Sequence, residues 1–317
     1  MKLCAACSET LPKEKFSKKQ WQLKQQRRCK ECIVENREVQ LEAPNDDRSP
    51  SLSVASEDSP PLLKLGDDCE SASNWTDGEI FKEPPPRDEC PICMLPFPLE
   101  YSAKAHKACC GKVICGGCMY GDLTKNNRIM CPFCRTSMPT SDREFVERYK
   151  KRVGANDALA MHELGWYYDG GRMGLREDWD KAMGLYLRAG EFGCADGYYN
   201  VAAAYYNGDR VEMDVNKAKH YYTIAAMGGH VEGRHNLGIL EAEAGNLNRA
   251  MKHWMISAGA GCDKSLKNIR EGYLHGYATK DDFEKALRAH KEAADEMRSD
   301  QREAATAFID QLPKKFD

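Results

Sequence analysis

The stretch Lys181-Ala182-Met183-Gly184-Leu185-Tyr186-Leu187-Arg188-Ala189 returns, with changes, three more times toward the carboxyl terminus. Its basic residue and alanine recur as Lys217-Ala218, Arg249-Ala250 and Lys285-Ala286, at separations of 36, 32 and 36 residues. Four residues after each alanine stands a ring, and the rings are Tyr186, Tyr222, Trp254 and His290. This spacing places small and large side chains on one helical face. A fixed period of this kind predicts a helical repeat.

Each of these helices follows a second apolar segment. The segments are marked by Leu164-Gly165, Val201-Ala202, Leu237-Gly238 and, less faithfully, Ile269. Gly193, Gly229 and Gly261 stand where the second helix of a unit must end, because glycine adopts the left-handed conformation that closes a helix. Each unit is therefore predicted to be helix–turn–helix.

The units resemble Sel-like repeats (SLR), which are related to tetratricopeptide repeats (TPR). The resemblance rests on Ala158-x5-Leu164-Gly165-x2-Tyr168-x2-Gly171 and Lys181-Ala182-x3-Tyr186-x2-Ala189. It implies an all-α solenoid of four repeats over residues 156–294 that recognises a protein partner or substrate. His290 in the ring position marks the fourth unit as terminal, and residues 295–317 are predicted to continue as a capping helix.

The solenoid interpretation assigns packing roles to side chains that otherwise suggest binding or catalysis. The rings expected in the core are Tyr186, Tyr222 and Trp254. Cys194 and Cys262 occupy matching places after a helix-ending glycine, and we expect them to be small packing residues, not metal ligands.

Eight cysteines crowd into residues 90–139. They occur in the order Cys90-x2-Cys93, Cys109-Cys110, Cys115-x2-Cys118 and Cys131-x2-Cys134. Zinc prefers four thiolate or imidazole ligands, and two cysteines separated by two residues reach one ion from a single turn. Eight ligands are enough for two Zn2+ ions.

This order of pairs resembles the RING finger, a small zinc-stabilised module in which the pairs bind in a cross-brace. Carried over residue by residue, the resemblance implies one zinc ion on Cys90, Cys93, Cys115 and Cys118. The other ion is then held by Cys109, Cys110, Cys131 and Cys134.

The second pair departs from many RING fingers, which have Cys-x-His there. Lys112 stands where that histidine would fall, and its ammonium has no lone pair to offer. The adjacent Cys109-Cys110 pair resembles the all-cysteine RING variants and can substitute. His106, three residues before Cys109, is either an alternative ligand or a solvent-facing loop histidine.

The RING resemblance implies an activity. RING ligases bind a ubiquitin-conjugating enzyme and hold its thioester-linked ubiquitin in a reactive pose, which is catalysis by positioning without a covalent intermediate. The matching contacts here are Ile92, Pro132 and Arg135, and a planar guanidinium suits a bridge between the enzyme and ubiquitin. Alternatively, Ile92 and Pro132 only shape the zinc loops, and Arg135 is an ordinary surface arginine.

One helix position argues against strong binding of the conjugating enzyme. RING fingers often carry a bulky apolar residue four positions after the cysteine that is Cys118 here, and this chain has Asp122. Leu123 or Tyr120 is a possible replacement.

The amino terminus carries a separate cysteine set, Cys4-x2-Cys7 and Cys29-x2-Cys32. Four thiolates at this spacing predict a zinc finger over residues 1–40, and therefore three zinc ions per chain. The string faintly resembles the leading zinc finger of adaptors from RNA silencing and heterochromatin.

Residues 1–40 carry ten basic and five acidic side chains. This basic surface either contacts nucleic acid, folds back on the acidic linker or is simply solvated.

Residues 41–89 carry 13 acidic and four basic side chains among serines and prolines, which is typical of a disordered linker. Its apolar island, from Asn74 to Phe81, is either a docking motif or a stray hydrophobic patch. Residues 140–155 are predicted to form a connecting helix, because Ser141-Asp142-Arg143-Glu144 is a capping-box pattern.

Length and composition limit the class of protein. The chain has 317 residues, a net charge of −3 and 42% hydrophobic residues, which suits a multi-domain soluble protein without a global basic field. The sequence has no apolar run long enough to span a bilayer and no amino-terminal secretion signal, so neither membrane insertion nor secretion is expected. Thirteen of the 15 cysteines precede residue 135, which favours zinc sites in the cytoplasm or nucleus over a disulfide framework.

Two functions remain. In the first, the chain is a RING-type ubiquitin ligase, a transferase that recruits the conjugating enzyme through the RING and a protein substrate through the repeats. In the second, it is a non-enzymatic zinc-binding scaffold, near RNA or chromatin. An oxidoreductase that used the Cys-x2-Cys pairs would need thioredoxin-like strands, and we find none in the sequence pattern.

Overall fold

The computed structural model describes residues 2–3, 10–11, 75–126 and 130–311, in two units, Met1–Pro60 and Pro61–Asp317. In the first unit, strands β1 (Lys2–Leu3) and β2 (Thr10–Leu11) pair antiparallel. The four ligands of the predicted amino-terminal zinc finger, Cys4, Cys7, Cys29 and Cys32, lie outside the described residues.

The second unit is mainly helical. Its helices are α1 (Asp77–Ile80), α2 (Gly116–Asn126), α3 (Asp142–Gly154), α4 (Ala158–Asp169), α5 (Trp179–Glu191), α6 (Ala195–Asn207), α7 (Val215–Met227), α8 (Val231–Glu243), α9 (Leu247–Gly259), α10 (Asp263–Leu274), α11 (Lys280–Met297) and α12 (Asp300–Gln311). Strands β3 (Lys104–Lys107) and β4 (Lys112–Cys115) form an antiparallel hairpin before α2. Within the described residues, no helix combines the length and apolar character that a membrane span needs.

Helices α4 to α11 form four successive pairs, one for each predicted repeat. In each of two pairs, a large ring of the second helix packs on a glycine of the first. A Cβ atom on Gly165 would lie 2.9 Å from the Tyr186 ring, and one on Gly238 would lie 2.5 Å from the Trp254 ring. The small-to-large contact lets the paired helices approach closely, and the helical half is an all-α repeat solenoid.

The three rings predicted for the core are buried. Tyr186 and Tyr222 are 1% and 2% exposed, and Trp254 is 8% exposed. The polar atoms of two of them are paired, since the Trp254 indole N–H donates to the His235 carbonyl at 3.2 Å and Asn236 donates to the Tyr222 hydroxyl at 3.1 Å. The core prediction is confirmed.

The predicted glycine stops are also confirmed. Gly193, Gly229 and Gly261 have φ of 92°, 91° and 98°, which is the left-handed region. After the first and last of them, Cys194 and Cys262 donate their backbone N–H to the carbonyl five residues back, the bond that closes a Schellman turn. Both cysteines are buried at the start of the next helix, which matches the packing role expected of them.

Helix α3 occupies the join between the cysteines and the repeats. Its first residue follows Ser141, whose hydroxyl accepts from the Glu144 N–H at 3.3 Å. The capping box is only half formed, because the Glu144 carboxylate accepts from the N–H and hydroxyl of Thr140 instead of the Ser141 N–H. Val146 and Tyr149 bury the inner face of α3 against α4.

The polar tail does not continue as one capping helix. Helix α11 ends at Met297, and the chain turns at Arg298, which has an extended backbone. Helix α12 then packs against α2, far back along the chain, because α2 presents glycines that allow close contact.

The glycine contacts predict opposite effects of one substitution at two helical sites. Gly165→Ala is expected to lower the free energy of unfolding by about 1–3 kcal/mol, because its methyl group overpacks the Tyr186 contact. Gly184→Ala, in α5 with no atom within 4 Å of the new Cβ, is expected to raise it by up to about 1 kcal/mol through helix propensity. Urea unfolding measures the free energy of unfolding of each variant. Equal values for Gly165→Ala and Gly184→Ala would contradict the packing argument.

Candidate metal centre

Two loops of the cysteine block (residues 90–135) share one backbone design. In each loop the carbonyl of the first cysteine accepts a hydrogen bond from the backbone N–H four residues later. The Met94 N–H donates to the Cys90 carbonyl at 2.8 Å, and the Arg135 N–H donates to the Cys131 carbonyl at 2.9 Å. Met94 and Arg135 each follow the second cysteine and have φ of 58° and 61°. This conformation costs a non-glycine residue about 1–2 kcal/mol, and it closes each Cys-x2-Cys pair into a tight turn.

The other two pairs lie on the β3–β4 hairpin and at the start of α2. Cys109 and Cys110 form the hairpin turn, which Gly111 completes with φ of 70°. Cys115 ends β4, and Cys118 lies in the first turn of α2. A strand, a hairpin turn and a helix start therefore present four sulfur atoms toward the two loops.

The structure brings the eight cysteines together as two sets of four, in which all sulfur atoms lie within 4.8 Å of one another. The first set is Cys90, Cys93, Cys115 and Cys118, and the second is Cys109, Cys110, Cys131 and Cys134. These are the pairings that the cross-brace implies. The Sγ atoms of Cys93 and Cys115 are 3.8 Å apart, and those of Cys110 and Cys131 are 3.7 Å apart. A tetrahedral zinc site with Zn–S bonds of about 2.3 Å has S···S edges of about 3.8 Å, so both sets fit that ion.

Backbone amides support the first set. The Cys115 N–H points at the Cys90 sulfur at 3.5 Å, and the Cys118 N–H at the Cys115 sulfur at 3.4 Å. Burial disfavours the Cys90 thiolate, but amide hydrogen bonds outweigh burial and lower its pKa to about 7. Burial and the Cys115 sulfur raise the pKa of Cys118 well above its usual range. Four adjacent sulfurs resist joint ionisation unless a cation lies among them.

His106 belongs to neither set. Its side chain is buried, and its Nε2 atom lies 3.4 Å from a carboxylate oxygen of Asp157. Arg152 donates to the same oxygen at 2.8 Å and 2.5 Å. Although burial opposes the charge, the adjacent His106 imidazole and the hydrogen bonds from Arg152 hold the pKa of Asp157 well below its usual range. His106 therefore lies at the interface with α3 and α4, neither facing solvent nor among the sulfurs, and Lys112 is exposed at the start of β4.

The residues expected to meet a conjugating enzyme are largely accessible. Ile92 is 46% exposed, Arg135 is exposed and Pro132 is half-buried. Of the two replacements for Asp122, Leu123 is 51% exposed. Tyr120 instead packs its ring 5.3 Å from the ring of Phe308 in α12.

Arg302 of α12 holds the first cysteine loop, and sequence reasoning missed it. Its guanidinium donates to the carbonyl of Pro96 at 2.7 Å and to the Cys93 sulfur at 3.5 Å. The backbone of α12 lies so close to α2 that a Cβ atom on Gly117 would be 2.9 Å from the Arg302 nitrogen. More than two hundred residues separate Arg302 from this loop, and no local sequence pattern links them.

A buried polar contact fixes the cysteine block to the first repeats. The Tyr101 hydroxyl lies 3.1 Å from His162 Nδ1, and the Asn200 amide lies 2.9 Å from His162 Nε2. Burial lowers the pKa of His162 to about 4, an effect that Asp196 opposes and that His230 and Lys104 reinforce. The imidazole is neutral at pH 7, so it can accept one hydrogen bond and donate another.

This contact predicts acid sensitivity. The unfolded chain has a His162 pKa of about 6.5, above the folded value, so the unfolded state binds more protons between pH 6.5 and 4. The contribution of neutral His162 to the free energy of unfolding is therefore fully present above pH 6.5. It is lost as the pH falls toward 4, and the loss amounts to up to about 3 kcal/mol. His162→Asn is expected to flatten the fall in unfolding free energy between pH 7 and 4.5. His275→Asn, at an exposed histidine, should follow the native profile, and an unchanged slope in His162→Asn would refute the assignment.

Comparison with known proteins bears on the repeats. No protein-family model matches the chain. A sel1-like repeat-containing protein of Acanthamoeba polyphaga mimivirus is 26% identical over 129 residues, which are 40% of this chain and 23% of that protein. The ERAD-associated E3 ubiquitin-protein ligase component HRD3B of Arabidopsis thaliana is 31% identical over 120 residues, 38% of this chain and 18% of that protein. The chain thus spans less than a quarter of either relative.

Solved structures include two similar solenoids. A Sel1 repeat protein from Oxalobacter formigenes superposes with a TM-score of 0.45 at 24% identity, over 56% of this chain and 70% of that one. A protective antigen of uropathogenic Escherichia coli strains with an SLR fold superposes with a TM-score of 0.42 at 26% identity, over 48% and 33%. The observed helix pairs and the two sequence relatives support a Sel1-like repeat solenoid in the helical half of the chain.

Proposed function

We propose that the chain is a RING-type ubiquitin ligase. The cysteine block positions a charged ubiquitin-conjugating enzyme, and the Sel1-like repeats bind the protein to be modified. The observation that carries the proposal is the interleaving of the two sulfur sets. The first and third pairs meet in one set and the second and fourth in the other, within one small block.

Zinc at each set would supply the positive charge that lets four thiolates share one point, and it would hold the two loops in place. The recognition itself falls to the chain's own residues. Ile92 and Leu123 offer exposed apolar contacts for the conjugating enzyme, beside the half-buried Pro132. The closed backbone turn after Cys134 presents the exposed Arg135 directly beside the second sulfur set. A guanidinium there can donate to the enzyme and to ubiquitin at once, and this orients the thioester for attack.

The similarity to HRD3B adds support, because that protein is named as a component of an E3 ubiquitin-protein ligase. It also favours a second candidate function, a non-catalytic adaptor in the ubiquitin pathway. Asp122, on α2 where RING ligases often carry an apolar contact, favours the same alternative.

Metal content tests the two sulfur sets directly. Mass spectrometry of the full chain, purified without added metal, is expected to find three zinc ions. Cys118→Ser and Cys110→Ser should each lose one ion, because each removes a ligand from a different set. Cys194→Ser, at a packing cysteine in the repeats, should keep all three. Full zinc content in both ligand variants would contradict the assignment.

Single-turnover discharge of ubiquitin to free lysine tests the activity. The full chain is expected to accelerate discharge from at least one charged conjugating enzyme of a broad panel. Ile92→Ala and Arg135→Ala should reduce the acceleration by about tenfold or more while zinc stays bound.

Leu287→Ala is the matched control, since Leu287 lies on α11 and is as exposed as Ile92. If the zinc-loaded chain accelerates none of the panel, the ligase is excluded and the adaptor function stands.

A further inference from the structure

A short segment that precedes the cysteine block, Trp75–Phe81, lies against the second and third repeats. Its middle forms the single turn α1, which Thr76 and Glu79 cap, since the Thr76 N–H and hydroxyl both donate to the Glu79 carboxylate, at 2.8 Å and 2.9 Å. The segment is the described part of the apolar island that the sequence leaves as either a docking motif or a stray patch. The structure places it on a defined surface.

The two ends of the segment contact histidines of the repeats. The Trp75 ring stacks on the His220 ring of α7, with centroids 5.4 Å apart and planes 14° apart. The Phe81 ring lies 4.6 Å from the His253 ring of α9. Ile80, between them, is 8% exposed and is the buried anchor of the segment.

The repeats also recognise the backbone and the charge of the segment. Arg234 of α8 is 3% exposed and donates to the Ile80 carbonyl at 3.0 Å, while its second nitrogen donates to the Ala226 carbonyl at 2.8 Å. Arg249 of α9 pairs with Asp77 and, at 3.3 Å, with the buried Glu241. Glu241 thus orients the arginine that meets the acidic residue of the segment.

The surface as a whole suits an acidic aromatic ligand. We name it the docking face and define it by five side chains: His220, Arg234, Arg249, Lys252 and His253. The Arg249 guanidinium and the Lys252 ammonium lie 5.4 Å and 5.1 Å from the centre of the Phe81 ring, within cation–π range. Basic groups around a ring-binding position favour a ligand that combines carboxylates with an aromatic residue.

The docked segment leaves some polar groups of the docking face without hydrogen bonds. Residues 76–79 are exposed, so the segment is held by its two rings, Ile80 and one ion pair. His253 is fully buried, and neither of its ring nitrogens has a hydrogen-bond partner among the described residues. A ligand with a polar group beside its ring would satisfy a donor or acceptor that Phe81 leaves unpaired.

We propose that the docking face is the substrate-recruiting site of the repeats, that its ligand is an acidic single turn flanked by aromatic residues, and that residues 75–81 are a tethered occupant which such a partner displaces. This deepens the proposed function and rests on its assignment of partner binding to the repeats.

The position of the occupant is relevant to ligase activity. Phe81 is nine residues before Cys90, and an extended chain advances at most about 3.4 Å per residue, so the two lie within about 30 Å. A partner held on the docking face is therefore held close to the cysteine block.

The test uses the full chain and a fluorescein-labelled peptide of residues 73–83. In the native chain the tethered segment competes, so weak binding is expected by fluorescence anisotropy. A Trp75→Ala, Phe81→Ala double variant frees the docking face and should bind the peptide at least tenfold more tightly. Adding Arg249→Glu to the double variant should reverse that gain, because it removes the partner of Asp77.

Three controls keep the result interpretable. Arg270→Glu, at an exposed arginine of α10, should leave peptide binding to the double variant unchanged. A peptide with Asp77→Lys and Phe81→Ala should not bind. Thermal melts of each variant exclude loss of fold.

Equal affinity of native chain and double variant, or no binding by a folded double variant up to 500 µM peptide, overturns the proposal. Neither readout involves ubiquitin. Failure of the discharge assay with intact peptide binding refutes the ligase alone, and the reverse result refutes the docking face alone.

Discussion

The cysteine block is a stretch of 46 residues whose buried cluster consists of Ile114 and three cysteines, with only partly buried apolar side chains around them. A chain of this length buries too little apolar surface to hold one conformation through a core alone. It therefore needs cross-links and neighbours. The two sulfur sets provide places for cross-links, and helices that follow the block in the sequence, α3, α4 and α12, provide the neighbours.

Two contacts attach the block to these helices, and both use buried polar groups. Tyr101 reaches His162 in the first repeat, and Arg302 of α12 caps the carbonyls of the first cysteine loop. Buried polar groups are costly unless paired, so each contact has one well-paired geometry. The block is consequently fixed relative to the repeats at two points. The proposed ligase function depends on positioning, so a fixed relation between the cysteine block and the repeats is the property that this function requires.

The docking face extends this logic to the linker. Residues 75–81 of the acidic linker are held on α7, α8 and α9 through Ile80 and two rings. The same basic side chains that hold it would attract any acidic segment, so a tethered occupant keeps the surface covered until a partner with better contacts arrives. A tether confers a high effective concentration, which makes such competition selective for strong ligands.

Sequence patterns determined whatever depends on neighbours along the chain. The period of 32 to 36 residues fixed the helix pairs, and the glycines at 193, 229 and 261 adopt the predicted left-handed backbone because only local sterics decide it. The spacing of the cysteines predicted zinc ligands, and the resemblance to the RING finger implied which sulfurs meet in each set. The capping of α3 was predicted less well. Thr140 and Ser141 are neighbours that can both donate to the Glu144 carboxylate, and in the structure Thr140 does so.

Tertiary structure alone decided which surfaces meet. Tyr120 and Leu123 both lie on α2, and only the packing of α12 covers the tyrosine and leaves the leucine exposed. His106 pairs with Asp157, Arg302 reaches Cys93, and Phe81 reaches His253, across gaps of 51, 209 and 172 residues. Residue type and spacing set the conformation and the faces of each element. Which surface each face packs against depends on how much apolar area is buried, and how many polar groups are paired, in the whole folded chain. A local sequence pattern contains no information on these totals.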